Sequence, residues 1–336
     1  MTSAAHRFVT AQPIPACPPS PPATPAPLPR LDVAILLALK DGARFIEAQL
    51  DSLLAQDHPD WHLIVSDDGS ADDGAARVRD WAAAHPGVGL RLIRGPGRGH
   101  AQNFLHLLRS LDPAPPFAAF CDQDDVWLLG KLDRALSALS AVPEGRPALY
   151  FGRVWICNQG LFHLHRSDFW PRPPGFANAL VQNIAPGNTI VLNRAAIRLI
   201  QRASHGVDRI GAHDWWAYQI ITGAGGLVLS DPAPLLLYRQ HDRNVIGANR
   251  GLRAHLRRWR IVLRGEMRDW TDDNIAALRA ASAHLTRHNR ALLLAFAAAR
   301  ALPPWRRALA LARLGIRRQH RFGTALLWLM TTLGLL

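Results

Sequence analysis

Between Leu31 and Leu39 every residue except Asp32 is apolar, and a polar turn, Lys40-Asp41-Gly42, follows at once. A strand with one face in water alternates apolar and polar side chains. A run without alternation belongs to a strand buried on both faces, the situation of strands in parallel sheets covered by helices. This segment alone restricts the chain to α/β architectures.

The residues that follow keep to that pattern. Phe45, Ile46, Leu50, Leu53 and Leu54 recur at helical spacing until Asp57-His58-Pro59 stops them, and Trp61 to Val65 reads as a second strand. A helix from Asp72 to about Ala84, a strand at Leu90 to Ile93, a helix opening near Asn103 and a strand at Phe117 to Cys121 continue the alternation. The expected fold is an α/β sheet with helices on both faces, in which ligands sit beyond the carboxyl ends of the strands.

Those ends are acidic. The second strand runs into Ser66-Asp67-Asp68-Gly69-Ser70 and the strand at Phe117 into Asp122-Gln123-Asp124-Asp125. Carboxylates crowded at one sheet edge repel one another. A hard divalent cation, Mg²⁺ or Mn²⁺, would relieve this, with substrate phosphates and water completing its shell. The plainer alternatives are an Asx turn at Asp67 and a helix cap by Asp124 or Asp125 near Leu128.

Charge divides the chain unevenly. Of a net charge of +13, all arises after Asn249, where seventeen arginines face only Glu266, Asp269, Asp272 and Asp273. Leu252, Leu256, Trp259, Val262 and Leu263 share a helical face ringed by Arg253, Arg257, Arg258, Arg260 and Arg264, and a second arginine-rich set runs from Arg300 to Arg321. Basic amphipathic helices suit an anionic membrane surface, or pack on the rest of the protein. Phe322 to Leu336 would measure about 22 Å as a helix, too short for a hydrocarbon core of about 30 Å. No nucleic-acid motif accompanies the arginines, so nucleic acid is not an expected partner.

At the other end, the proline-rich residues 1–30 read as a disordered, extended tail without the apolar core of a signal peptide. Three cysteines, Cys17, Cys121 and Cys157, cannot build a disulfide framework, which fits a cytoplasmic setting, with peripheral attachment to the inner face of the membrane through the basic helices. An apolar content of 49% excludes disorder as the main state.

Val33 to Leu54 and Ile64-Val-Ser-Asp-Asp-Gly-Ser70 resemble the opening of family 2 glycosyltransferases with the GT-A fold, a Rossmann-like mixed sheet with helices on both faces. Asp122-Gln-Asp-Asp-Val-Trp-Leu128 is similar to their Asp-x-Asp motif. The likeness continues through Gln182 to Arg194, His213-Asp-Trp-Trp216 and Tyr238-Arg-Gln-His241, and is nearest to the bacterial rhamnosyltransferase-like branch. One departure is Leu39-Lys40-Asp41, where the family usually shows Thr-Tyr-Asn. The resemblance implies a catalytic domain over residues 31–249, followed by a basic helical extension over 250–336.

Roles follow from the same resemblance. Asp67 would accept the imide N–H of a uracil or thymine base, Asp68 would support the turn around it, Asp122 would contact ribose or, through water, the metal, and Asp124 and His241 would ligate that metal. Asp214 matches the catalytic base, although a helix N-cap competes for it, and for His241 the neighbouring Arg239 and Asp242 allow a simpler surface salt-bridge reading. Gly187 and Asn188 match a loop beside donor and acceptor. The glycine-rich segment Arg94 to Asn103 lacks the Gly-Lys-Ser/Thr ending of a P-loop and would line the donor nucleotide, with Arg98 near phosphate. Of Trp215 and Trp216, one is expected in the core and the other, Trp215, against a sugar face. The implied reaction moves a sugar from a nucleotide diphosphate donor, such as dTDP-rhamnose or a UDP-sugar, to a saccharide or lipid-linked acceptor with inversion, in surface polysaccharide assembly. Hydrolysis of a phosphate ester and non-catalytic binding of a sugar nucleotide are the alternatives.

Overall fold

A computed structural model describes residues 32–241 and 266–334, apart from the side chains of residues 163, 164, 266 and 267. The proline-rich tail, the face Leu252 to Leu263 with its arginines, and Asp242 therefore lie outside the described residues. The apolar run forms β1 (Val33–Leu39), and α1 (Ile46–Leu54), β2 (Trp61–Asp67), α2 (Gly74–Ala84), β3 (Gly89–Arg94), α3 (His100–Arg109) and β4 (Phe117–Asp122) follow in the expected alternation. Next come β5 (Val126–Trp127), α4 (Lys131–Ser140), β6 (Ala148–Cys157), β7 (His163–Arg166), α5 (Phe176–Ala179), β8 (Val191–Asn193), α6 (Arg194–Ala203), α7 (His213–Gly223) and β9 (Leu227–Arg239). After the gap come α8 (Glu266–Ala280), α9 (Arg287–Ala301), α10 (Pro304–Arg313) and α11 (Arg321–Thr332).

Nine strands form one mixed sheet among the described residues, in the order β3-β2-β1-β4-β8-β6-β9-β5, with β7 beside β6. β1, central among the parallel strands, pairs with β2 and β4 in parallel and is buried along its whole length, as its unbroken apolar sequence requires. Its alternate residues enter different cores. Val33, Ile35, Leu37 and Leu39 join α1 and α4, while Ala34, Leu36 and Ala38 join α3, α6 and α7.

Where a helix was expected near Leu128, the chain instead makes the two-residue strand β5, which pairs antiparallel with Trp127 opposite Leu236 of β9. α4 begins only at Lys131, with Gly130 in the left-handed region (φ 76°) at its N-cap. Neither Asp124 nor Asp125 caps a helix, so the plain reading of that acidic segment fails. The long β9 pairs with β6 from Leu227 to Arg239 and, on its other edge, with β5 at Leu236 and Leu237, which returns residues 239–241 to the edge of the acidic segment.

The C-terminal helices pack on the α/β part. Ile275, Leu278, Phe296, Leu311 and Leu327 belong to the same buried cluster as Phe176, Trp216 and Ile221. Polar ties fix the joint: Asn289 Nδ2 donates to the carbonyls of Thr222 and Gly223, and the Gln319 N–H donates to Gln182 Oε1. Among the described residues no helix is long and apolar enough to cross a membrane.

Candidate active site

The carboxyl ends of β1, β2 and β4 open onto a cleft of about 1770 Å³ that Asp68, Asp122, Asp124, Asn188, Asp214 and His241 line together. A smaller hollow of about 550 Å³ elsewhere, lined by His62, Arg91 and Arg194 among others, contains none of these strand-end carboxylates.

Three loops build the nucleotide side. Asp67 Oδ1 accepts from the backbone N–H and hydroxyl of Ser70, at 2.9 and 2.6 Å, so the Asx turn is real. Asp68 instead reaches the glycine loop, its two oxygens accepting from Gly97 N–H (2.6 Å) and Gly99 N–H (2.8 Å). Asp67 thus holds the turn and is not among the residues lining the cleft, while Asp68, expected to support that turn, lines the cleft and braces the glycine loop. Gly97 and Gly99 have φ of +67° and +88°, values that penalise a β-carbon and explain the glycines in this segment. Arg98 between them turns away to the carbonyl of Asp208 (3.2 Å) and does not line the cleft, contrary to its expected place near phosphate. The atypical Lys40-Asp41 pair is stitched in as well. Lys40 Nζ donates to the Gly69 carbonyl, and Asp41 Oδ1 accepts from Ala71 N–H.

The Asp-x-Asp segment holds the strongest electrostatics. His241 Nε2 lies 2.6 Å from Asp124 Oδ2, and its ring stacks on Phe45 with centroids 5.1 Å apart. Arg239 donates through Nε to the Asp124 carbonyl, which holds the end of β9 against this segment. Asp122 Oδ1 is buried without a hydrogen-bond partner, with His100 Nε2 3.7 Å away. Burial, then repulsion by Asp124, pushes the Asp122 carboxyl up to about 7 against the attraction of Lys131. Among the described residues no three His, Cys, Asp or Glu side chains converge as a complete metal cage. A paired carboxylate and imidazole beside an unsatisfied carboxylate oxygen nevertheless fit a dication that draws the rest of its shell from phosphate and water.

On the opposite wall, Asp214 occupies the first turn of α7, where Ala212 is the N-cap, so the carboxylate is not a capping group. Its oxygens accept from Trp215 N–H (2.7 Å) and Gly187 N–H (3.1 Å). Burial raises the carboxyl to about 6, and the Trp215 N–H and His100 only partly offset this. Gly187 has a steric cause: a β-carbon there would stand 2.7 Å from His213 Nε2. His213 cannot yield, because it is buried with its ring stacked 3.9 Å from Phe104 and edge-on to Phe120.

Both tryptophans of the His-Asp-Trp-Trp run are core. Trp215 Nε1 donates to Ala179 O and Trp216 Nε1 to Ser204 Oγ, and neither ring lines the cleft, so the expectation that Trp215 covers a sugar is corrected. Phe169, Trp170 and Trp270, which the sequence did not single out, are among the aromatic residues that line the cleft. Asp125, read in sequence only as a strand-end carboxylate or a helix cap, is fully buried, and so is Lys131, which the sequence did not single out because a lysine near a helix start reads as a surface residue.

Residues 35–198 match the family model described as Glycosyl transferase family 2. Over these residues the chain carries a glycosyltransferase family 2 domain. As a relative of this transferase, the dTDP-rhamnosyl transferase RfbG of Shigella flexneri is 24% identical over 239 residues, spanning 67% of this chain and 78% of RfbG. The UDP-Glc:alpha-D-GlcNAc-diphosphoundecaprenol beta-1,3-glucosyltransferase WfgD of Escherichia coli is 27% identical over 110 residues, 32% of this chain and 40% of its own. Among solved structures, S. aureus TarS 1-349 in complex with UDP-GlcNAc superposes with a TM-score of 0.51 at 13% identity, covering 79% of this chain and 70% of that one. The fold of the family 2 glycosyltransferase is therefore GT-A.

Proposed function

We propose that the cleft transfers a sugar from a pyrimidine nucleotide diphosphate, dTDP or UDP, to a hydroxyl of a saccharide or lipid-linked acceptor, inverting the anomeric centre. The observation that carries this reading is Asp214, a half-buried carboxylate on the wall of the cleft that Asp122 and Asp124 line, raised to about 6 by its withdrawal from water. In the unprotonated state it takes the acceptor hydroxyl proton as that oxygen bonds to the anomeric carbon and the bond from carbon to the diphosphate oxygen breaks. The N–H groups of Gly187 and Trp215 orient the carboxylate for this. Asp124 and His241 would hold a Mg²⁺ or Mn²⁺ ion, which would supply charge stabilisation for the departing diphosphate. Asp68 fixes the glycine loop that borders the nucleotide. The donor proposal draws on the printed names of RfbG and WfgD, a dTDP-rhamnosyl and a UDP-Glc transferase, and the lipid-linked acceptor on that of WfgD. A place in surface polysaccharide assembly belongs to the same proposal.

The test is a thermal-shift screen against UDP, dTDP and GDP sugars with Mn²⁺, Mg²⁺ or EDTA. A ligand at 100 times its dissociation constant stabilises by about 2.7 kcal/mol, so a shift that needs metal and a UDP or dTDP donor is the expected result. Equal shifts with EDTA would remove the metal from the reading.

An anionic membrane surface belongs to the proposal too. α11 buries Thr324, Leu327, Met330 and Thr331 yet leaves Phe322 (81% exposed), Leu329 and Leu333 in water, making it apolar on a second face. Trp305 and Leu309 of α10 are likewise exposed, and Arg306, Arg313, Arg317 and Arg321 beside them carry the matching charge. The full chain should float with phosphatidylglycerol vesicles and not with phosphatidylcholine. A Phe322→Ser/Leu329→Ser variant should lose at least about 2 kcal/mol of that affinity. Unchanged flotation would refute the contact.

A further inference from the structure

We infer that Lys131 is a positioning residue that, through Asn188 and Asp125, sets the spacing between the donor and acceptor walls of the cleft. Lys131 is fully buried at the first residue of α4. Its Nζ donates to the Asn188 carbonyl at 2.8 Å and lies 3.0 Å from the centroid of the Trp127 ring. Asn188 sits in the short 3-10 turn Gly187–Thr189, and its side-chain Nδ2 donates to Asp125 Oδ2 at 2.6 Å. The other Asp125 oxygen accepts from the backbone N–H of Arg239 (3.2 Å), two residues before His241. One buried cluster therefore grips three segments at once: the Asp-x-Asp segment, the turn whose Gly187 N–H holds Asp214, and the end of β9 that brings His241 to Asp124.

Neither Lys131 nor Asp125 is among the residues that line the cleft. Their placement is costly. Burying a lysine and a carboxyl group forfeits their hydration, and apolar residues of similar size often give equal or greater stability. What this cluster supplies and an apolar one could not is directed hydrogen bonding to a backbone carbonyl, a side-chain amide and a backbone N–H on three separate segments. These fix the distance between a metal-side carboxylate and a base. A displacement of about 1 Å in such a pair costs about a hundredfold in rate.

The inference that Lys131 orients Asp214 rests on the reading of Asp214 as base, whereas its grip on the 3-10 turn does not. Two measurements on the full-length protein separate them. In hydrogen–deuterium exchange, Lys131→Met should speed exchange across 186–190, where Thr189 N–H and Ile190 N–H close the turn on Pro186 and Gly187, while β1 to β3 exchange as in the parent. In initial-rate kinetics, the same variant should lose at least about tenfold in kcat while the UDP dissociation constant, read by calorimetry, moves less than about twofold, and Lys131→Arg should recover most of the loss. If Lys131→Met does not fold, the double variant Lys131→Met/Asp125→Asn, which buries no unpaired charge, takes its place with the same expectations. Parental exchange across 186–190 in whichever variant folds would overturn the inference. Accelerated exchange with unchanged kcat would keep the grip on the turn and overturn the orientation of Asp214.

Discussion

At the scale of the residue, Asp214 carries the sharpest expectation. Asp214→Asn should cut kcat at least about a hundredfold while nucleotide affinity stays within about twofold, measured by initial rates and calorimetry. The sign of its pH dependence follows from burial. The carboxyl is raised to about 6 and works unprotonated, so kcat/KM should rise with pH up to about 6 and level off above it. A profile flat from pH 4.5 to 8 would assign the proton to another group. Gly187→Ala drives a β-carbon against the immobile His213 ring and displaces the N–H that holds Asp214, and about 1–3 kcal/mol of stability should go with it in urea denaturation. Asp214, Asp124 and His241 were legible in sequence because a resemblance placed them in order along the chain. Asp125 and Lys131 were not: only the fold shows that β5 and the end of β9 close over them.

At the scale of the element, the decisive parts are strand ends and the turns beyond them. Hydrophobic runs made β1, β2 and β4 readable, and their acidic ends lie where parallel strands point. Asp67 and Asp68 were visible as a pair, but their division of labour was not, because an Asx turn uses one carboxylate and frees the next to reach a loop thirty residues on. That loop, with two glycines at positive φ, depends on Asp68 for its shape. Asp68→Ala removes two charge-assisted hydrogen bonds of about 1.5–3 kcal/mol each and should weaken UDP or dTDP binding at least about tenfold by calorimetry. Asp67→Ala, which cuts only the turn to Ser70, should weaken it less. The reverse order would restore Asp67 as the contact to the base. β5 shows the limit of pattern reading: two residues are too few for a period, and their pairing with β9 is decided 110 residues downstream.

At the scale of the whole molecule, the four C-terminal helices complete the core behind α5 and α7. Phe296 is fully buried there, so Phe296→Ala should cost about 3–5 kcal/mol by chemical denaturation of the full chain, even though it lies in the basic extension rather than in the segment matched to the family. A loss under 1 kcal/mol would mean that the helices dock without sharing the core. Surplus arginines made the stretch from Arg300 to Arg321 legible as basic, with membrane contact the first expectation and packing on the protein the alternative. Packing resolves half of that choice by burying one face of α11, while the exposed Phe322 and Leu329 keep the other half alive.

The sequence by itself determined the α/β class, the order of the first four strands, the acidic edge and the location of the charge, because each is written in contiguous residues whose spacing matches a local period. Tertiary structure alone decided which carboxylate lines the cleft, that both tryptophans are core, and that Lys131 is buried beneath the Gly187–Thr189 turn. Those outcomes depend on contacts between segments far apart in the chain, where burial and hydrogen-bond partners are set by how the sheet is ordered.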